Sequence, residues 1–116
     1  MQNEQNQVNE LLIKWKFAIP PHPQFPEVKM QYRCMNDLIR ITEVIESTLN
    51  SKDIVELAKA VGYLLYSTVA FASTFGIKLE DIWNEIHKSN MSNLNNKFVP
   101  PDIKEVLAKQ YKDSIL

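Results

Sequence analysis

The sequence predicts an all-α bundle of about five helices. Three observations predict it. Glycine occurs only at positions 62 and 76 of the 116 residues, whereas all-β folds use glycine repeatedly at their turns. Apolar residues recur at spacings of three and four along most of the chain, which marks one face of a helix. The connections between these segments are short, as in a helical bundle.

Val8, Leu11, Leu12 and Trp15 sit at helical spacing and predict a first helix over residues 3–17. The stretch Pro20-Pro-His-Pro-Gln-Phe-Pro26 follows; proline lacks the amide proton and restricts its predecessor, so this connection is extended. A second helix is predicted over 27–49, carrying Met35, Leu38, Ile39, Thr42, Ile45, Glu46 and Leu49. Asn50-Ser51 breaks it and offers a cap for a third helix over 52–75. That helix is apolar nearly all round, with Ile54, Leu57, Val61, Leu64 and Leu65 on one side and Val55, Tyr66, Val69 and Ala70 on others. Such a helix is central or buried in an oligomer interface. Gly76 supplies its left-handed end. A fourth helix over 79–88 turns Ile82, Trp83 and Ile86 inward. Four asparagines within Asn90–Asn96 predict a loop. Pro100-Pro101-Asp102 opens the last helix, with Asp102 and Glu105 spaced as a capping box.

A chain of this length fits a single domain spanning residues 1–116. Thirteen basic and fourteen acidic residues leave a net charge of −1, so no overall field draws the chain to nucleic acid or to an anionic membrane. The polar start Met1–Gln7 lacks the apolar core of a signal peptide. Lys59, Ser67, Thr68, Ser73 and Thr74 interrupt the longest candidate for a membrane span. The lone Cys34 excludes an intramolecular disulfide and a cysteine-built metal site and reads as a small buried residue. Together these features predict a soluble protein of the reducing cytoplasm.

Glu43 and Glu46 lie three apart and share a helix face. His87-Lys88-Ser89-Asn90 groups two potentially cationic side chains with a hydroxyl and an amide just past the fourth helix. Such a set can grip phosphate oxygens while Asn90 reads a base or ribose; a histidine and a lysine there also serve simply as partners of the helix dipole. Trp15, Trp83, Phe71, Phe75 and Tyr66 fall on apolar faces and read as core. Phe17, His22 and Phe25 are candidates for lining a base pocket. Zinc is excluded by scattered histidines, and a phosphate-binding glycine loop by two isolated glycines.

The run Phe71-Ala-Ser-Thr-Phe-Gly-Ile77, followed by Glu85-Ile-His-Lys-Ser-Asn-Met-Ser92, resembles the C-terminal signature of the MazG-like and phosphoribosyl-ATP pyrophosphohydrolase-like families. The closing Phe98-Val-Pro-Pro-Asp-Ile103 extends the likeness. The resemblance implies an all-α MazG-like bundle that pairs its central helices as a homodimer or homotetramer and splits nucleoside triphosphates between the α and β phosphates. It also implies a magnesium ion held between an E-x-x-E pair and an E-x-x-D pair on two antiparallel helices. Glu43 and Glu46 match the first pair. The second reads Glu56-Leu-Ala-Lys59, with lysine in place of aspartate, and Tyr63 stands four residues later where many relatives have another aspartate. Three glutamates and a lysine sum to −2, and an ammonium repels a divalent cation strongly at close range.

The first functional expectation is therefore a member with an impaired site. It binds and sequesters a nucleotide or nucleotide-derived signal, as a phage or mobile element does against a host defence, with no cofactor. Lys59, Tyr63, His87, Lys88, Ser89, Asn90 and Lys97 would hold the ligand, Lys97 standing in for a lysine that relatives carry at the position of Asn93. The alternative is an active pyrophosphohydrolase in which Glu43, Glu46 and Glu56 bind magnesium and activate water. A third expectation is a structural or protein-binding bundle on the same scaffold.

Overall fold

A computed structural model describes residues 1–115 as five α-helices, with no strand among them: α1 Gln2–Lys14, α2 Val28–Ser51, α3 Ile54–Thr74, α4 Leu79–Ser92 and α5 Ile103–Ser114. A 3-10 turn, Asn93–Asn95, follows α4. The all-α prediction holds. α2 and α3 form a long antiparallel hairpin, α1 packs along α3, and α4 joins α1 to α5.

The hairpin turns at Lys52, which adopts a left-handed φ of 59°. Asp53 rather than Asn50 or Ser51 caps α3, its carboxylate accepting from the Glu56 amide at 3.1 Å. At the far end Gly76 takes φ +70° as expected. The Ile77 amide there reaches back to the Ala72 carbonyl at 2.9 Å, the long bond that closes a helix behind a left-handed residue. A side chain at Gly76 would meet the backbone of His22, so the proline connection lies directly against this turn. The Gln24 amide donates to the Phe75 carbonyl and fixes the approach.

The core is small. Val8, Leu12 and Val69 form its centre, and Met1, Phe17, Ile19, Ala70 and Leu79 pack around it. Two buried glutamines fasten the α3–α4 connection. Gln5 donates to the Ser73 hydroxyl and the Ile77 carbonyl and accepts from the Leu79 amide. Gln110 bonds both the amide and the carbonyl of Lys78. Each satisfies backbone groups that a buried turn would otherwise leave unpaired.

Three of the five aromatic residues expected in the core are exposed. Trp15 is 58% exposed and Trp83 61%, and Tyr66 is exposed as well. One chain has no layer to cover them. Its radius of gyration is 16.4 Å, against about 13 Å for a compact chain of this length. Ile39, Val44 and Leu49 on α2, and Val55, Val61 and Leu65 on α3, are exposed too. α3 is also long and apolar enough to cross a membrane, with a mean hydropathy of 1.4 over 18 residues, although its polar residues argued against this in the sequence. The same length and composition suit the central helix of a bundle, and α1 and α2 both pack on it.

Candidate functional site

A groove of about 430 Å³ runs between α2 and α3. α2 contributes Arg33, Asp37, Arg40, Ile41 and Val44, whose spacings of three and four place them on one face. α3 contributes Ala60, Tyr63 and Ser67. Arg40 donates from Nη2 to Asp37 Oδ1 at 2.8 Å. The Arg33 guanidinium carbon sits 4.2 Å from the centre of the Phe17 ring, a cation–π contact. With two guanidinium groups against one carboxylate, the groove carries a net charge of +1.

This geometry distributes the sequence candidates unevenly. Tyr63 lines the groove, whereas Glu43, Glu46, Glu56 and Lys59 do not. Glu46 stands two residues past Val44, about 200° around α2 and so on its other side. Lys59 is 61% exposed, with Nζ 3.9 Å from Glu56 one turn earlier on the same helix. On α3 the pair with i, i+3 spacing that faces the groove is Ala60 and Tyr63, four residues beyond Glu56 and Lys59. On α2 the groove-facing pairs are Asp37 with Arg40 and Ile41 with Val44. Among the described residues no three of His, Cys, Asp and Glu gather into a group able to hold a metal ion.

Magnesium requires several hard oxygen ligands in near-octahedral geometry. The groove offers one carboxylate, a phenol and a hydroxyl beside two permanent cations. That donor set does not fit the ion.

A second cavity, of about 810 Å³, adjoins the first along the proline connection. Phe17, Ile19, Phe25 and Met30 give it apolar walls, and Lys16, Lys29 and Arg33 bring positive charge. Phe17 and Phe25 thus line a cavity as the sequence suggested. His22 does not; its ring packs on Tyr111 of α5 with centroids 4.6 Å apart.

The signature residues lie elsewhere. α4 continues four residues past Lys88, so His87, Lys88, Ser89 and Asn90 are inside its last turns and not beyond its end. Ser92 Oγ bonds the Ser89 carbonyl within that final turn. Ser89 is 4% exposed, and its hydroxyl donates to the Val99 carbonyl at 2.7 Å. Ser92 Oγ also accepts from the Val99 amide at 2.9 Å, and Glu85 Oε1 accepts from the Asp102 amide. Three polar residues of the signature therefore hold the segment that leads into α5. Ser89 is engaged structurally. Lys88 lines a cleft between α4 and α5, and His87, Asn90 and Lys97 are exposed. α4 packs chiefly on α1, the 3-10 turn and α5, so one chain does not bring the signature to the α2–α3 groove.

Arg33, Asp37 and Arg40 went unnoticed in the sequence. Their signal was a charged stripe at spacings of four and three.

An antiparallel helical hairpin with a polar groove between its helices, closed by an extended proline connection, defines an all-α nucleotide-pyrophosphohydrolase-like fold. The phosphoribosyl-ATP pyrophosphohydrolase family model matches residues 20–90, more than half of the chain, and the chain belongs to that family, in one superfamily with the MazG-like proteins. The match runs from the proline connection through α2 and α3 to Asn90 near the end of α4. No curated protein matches the chain.

Proposed function

We propose that this chain binds a phosphorylated nucleotide in the α2–α3 groove without a metal ion and holds it without turnover, which amounts to sequestration. One observation carries the reading: the α2–α3 groove is lined by Arg33, Arg40, Ala60 and Tyr63, with Asp37 as its single carboxylate. Guanidinium groups form bidentate, charge-assisted bonds to phosphate oxygens. Tyr63 and Ser67 add hydroxyls to the same groove that can bond a bound nucleotide. The positive charge does for the phosphate what a divalent ion would do, but it supplies no activated water.

Isothermal titration with nucleotides in EDTA tests this proposal. Binding that survives the chelator and weakens at least tenfold in Arg40→Met supports it. Binding that appears only with magnesium counts against it.

The proposal includes a second copy of the chain over the exposed apolar faces of α2 and α3. The extended shape and the uncovered Ile39, Leu49, Val55 and Leu65 support it. Light scattering on a sizing column should then give twice or four times the 13.5 kDa of one chain; a stable monomer contradicts it.

A further inference from the structure

The two cavities point to a ligand with two ends. We infer that the bound molecule is a nucleoside diphosphate joined to a second sugar or nucleoside, lying across both cavities with its internal phosphates at Arg33. This deepens the proposed phosphate site and rests on that reading.

Arg33 lines the α2–α3 groove and the proline cavity alike. Their volumes, about 430 and 810 Å³, together exceed the range of about 300–1,000 Å³ usual for one drug-sized ligand. The two ends also differ chemically. Phe17, Phe25 and Met30 give the proline cavity the apolar, aromatic walls that suit a nucleobase. Asp37, Tyr63 and Ser67 give the groove acceptors and hydroxyls that suit a sugar. A carboxylate at Asp37 accepts from sugar hydroxyls but repels a terminal polyphosphate.

Charge narrows the class further. Lys16, Lys29, Arg33 and Arg40 face Glu27 and Asp37 across the combined space, an excess of two positive charges. A diphosphate esterified at both ends carries about two negative charges, whereas a triphosphate carries about four. With no magnesium to absorb the difference, the doubly esterified molecule matches. Arg33 also sits against the Phe17 ring, its guanidinium carbon 4.2 Å from the ring centre, and a guanidinium can bond phosphate oxygens in pairs.

Titration calorimetry on the full chain in EDTA tests the inference, with ADP-ribose and UDP-glucose as two-ended probes and ADP, ATP and ribose-5-phosphate as comparisons. At least one two-ended probe should bind tenfold or more tighter than either ADP or ATP. Arg33→Met should weaken that probe at least tenfold, and Arg33→Lys, which keeps the charge but loses the plane, by less. Phe25→Ala alters a side chain that is 79% exposed; it should weaken the two-ended probe severalfold and leave ribose-5-phosphate unchanged. Unchanged unfolding midpoints separate these losses from misfolding. If ADP or ATP binds in EDTA as tightly as both probes, the two-ended ligand is refuted while metal-free nucleotide binding stands. If none of the five binds, both readings fail.

Discussion

The buried hydroxyl of Ser89 donates to the Val99 carbonyl at 2.7 Å, tying the end of α4 to the segment that enters α5. Ser92 bonds the amide of the same residue. The most recognisable stretch of the chain thus acts here as a structural clasp, and its serine is spent on the fold.

Ser89→Ala should therefore affect stability and not ligand affinity. Losing one partly buried hydrogen bond destabilises by about 1 kcal/mol, more if the carbonyl is left dry. Urea unfolding should show that loss, and hydrogen exchange should speed up around residues 93–101. Nucleotide affinity should stay within about twofold, since α4 lies outside the groove. A tenfold loss of affinity in a stably folded Ser89→Ala protein would place the signature at the ligand after all.

Lys59→Asp separates the exposed Glu56–Lys59 surface of α3 from the α2–α3 groove. Lys59 pairs with Glu56 on an exposed surface, where such contacts contribute about 0–1 kcal/mol. The substitution should change nucleotide affinity less than about twofold, whereas Arg40→Met should cost tenfold or more, or about 1.4 kcal/mol. Titration of the two variants side by side checks this contrast. Magnesium-dependent hydrolysis gained in Lys59→Asp would return the metal site to Glu43, Glu46 and Glu56.

Gly76→Ala should be among the most damaging single substitutions. It places a side chain at φ +70° and drives its Cβ into the His22 backbone, with Pro20 Cβ at 3.1 Å. Backbone strain alone costs about 1 kcal/mol or more, and displacement of the proline connection adds to it. Thermal unfolding should fall by several degrees, and the groove ligand should weaken because Phe17 and Arg33 shift together. A variant as stable as the parent would mean that the connection is free of the α3 turn.

Burial pushes the Cys34 thiol above its ordinary range, and a hydrogen bond with Thr74 only partly offsets this. The thiolate is the reactive form, so alkylation near pH 8 should be slower than for a free cysteine and should recover in urea. A raised folded-state value means that stability is fully present below the ordinary thiol range and declines as pH rises through the folded-state value. Iodoacetamide labelling followed against pH measures both effects. Labelling as fast as a free thiol would show that the site is open to solvent.

The helices were legible because proline, glycine and apolar spacing act locally. Gly76 and the Asp102 cap behave as read, the latter accepting from the Glu105 amide at 3.1 Å. The capping box was only half right, since the Asp102 amide bonds Glu85 from α4 instead of Glu105. No local pattern could supply that partner. The site was harder for a related reason. Spacing places Glu43 and Glu46 on one face, but only the register of α2 against α3 decides which face turns inward. That register selects Arg33, Asp37 and Arg40, and on α3 it selects Ala60 and Tyr63. The exposed Trp15 and Trp83 show the same limit, because apolar spacing identifies a face that seeks cover without saying whether the cover comes from the same chain.

Pyrophosphate release from a panel of nucleoside triphosphates, with saturating magnesium or manganese, tests the central claim most directly. A groove lined by two arginines and one carboxylate should release none above a protein-free control, while the same preparation binds nucleotide in EDTA. Metal-dependent release at a steady rate, abolished in Glu43→Gln and unaffected by Arg40→Met, would contradict the account.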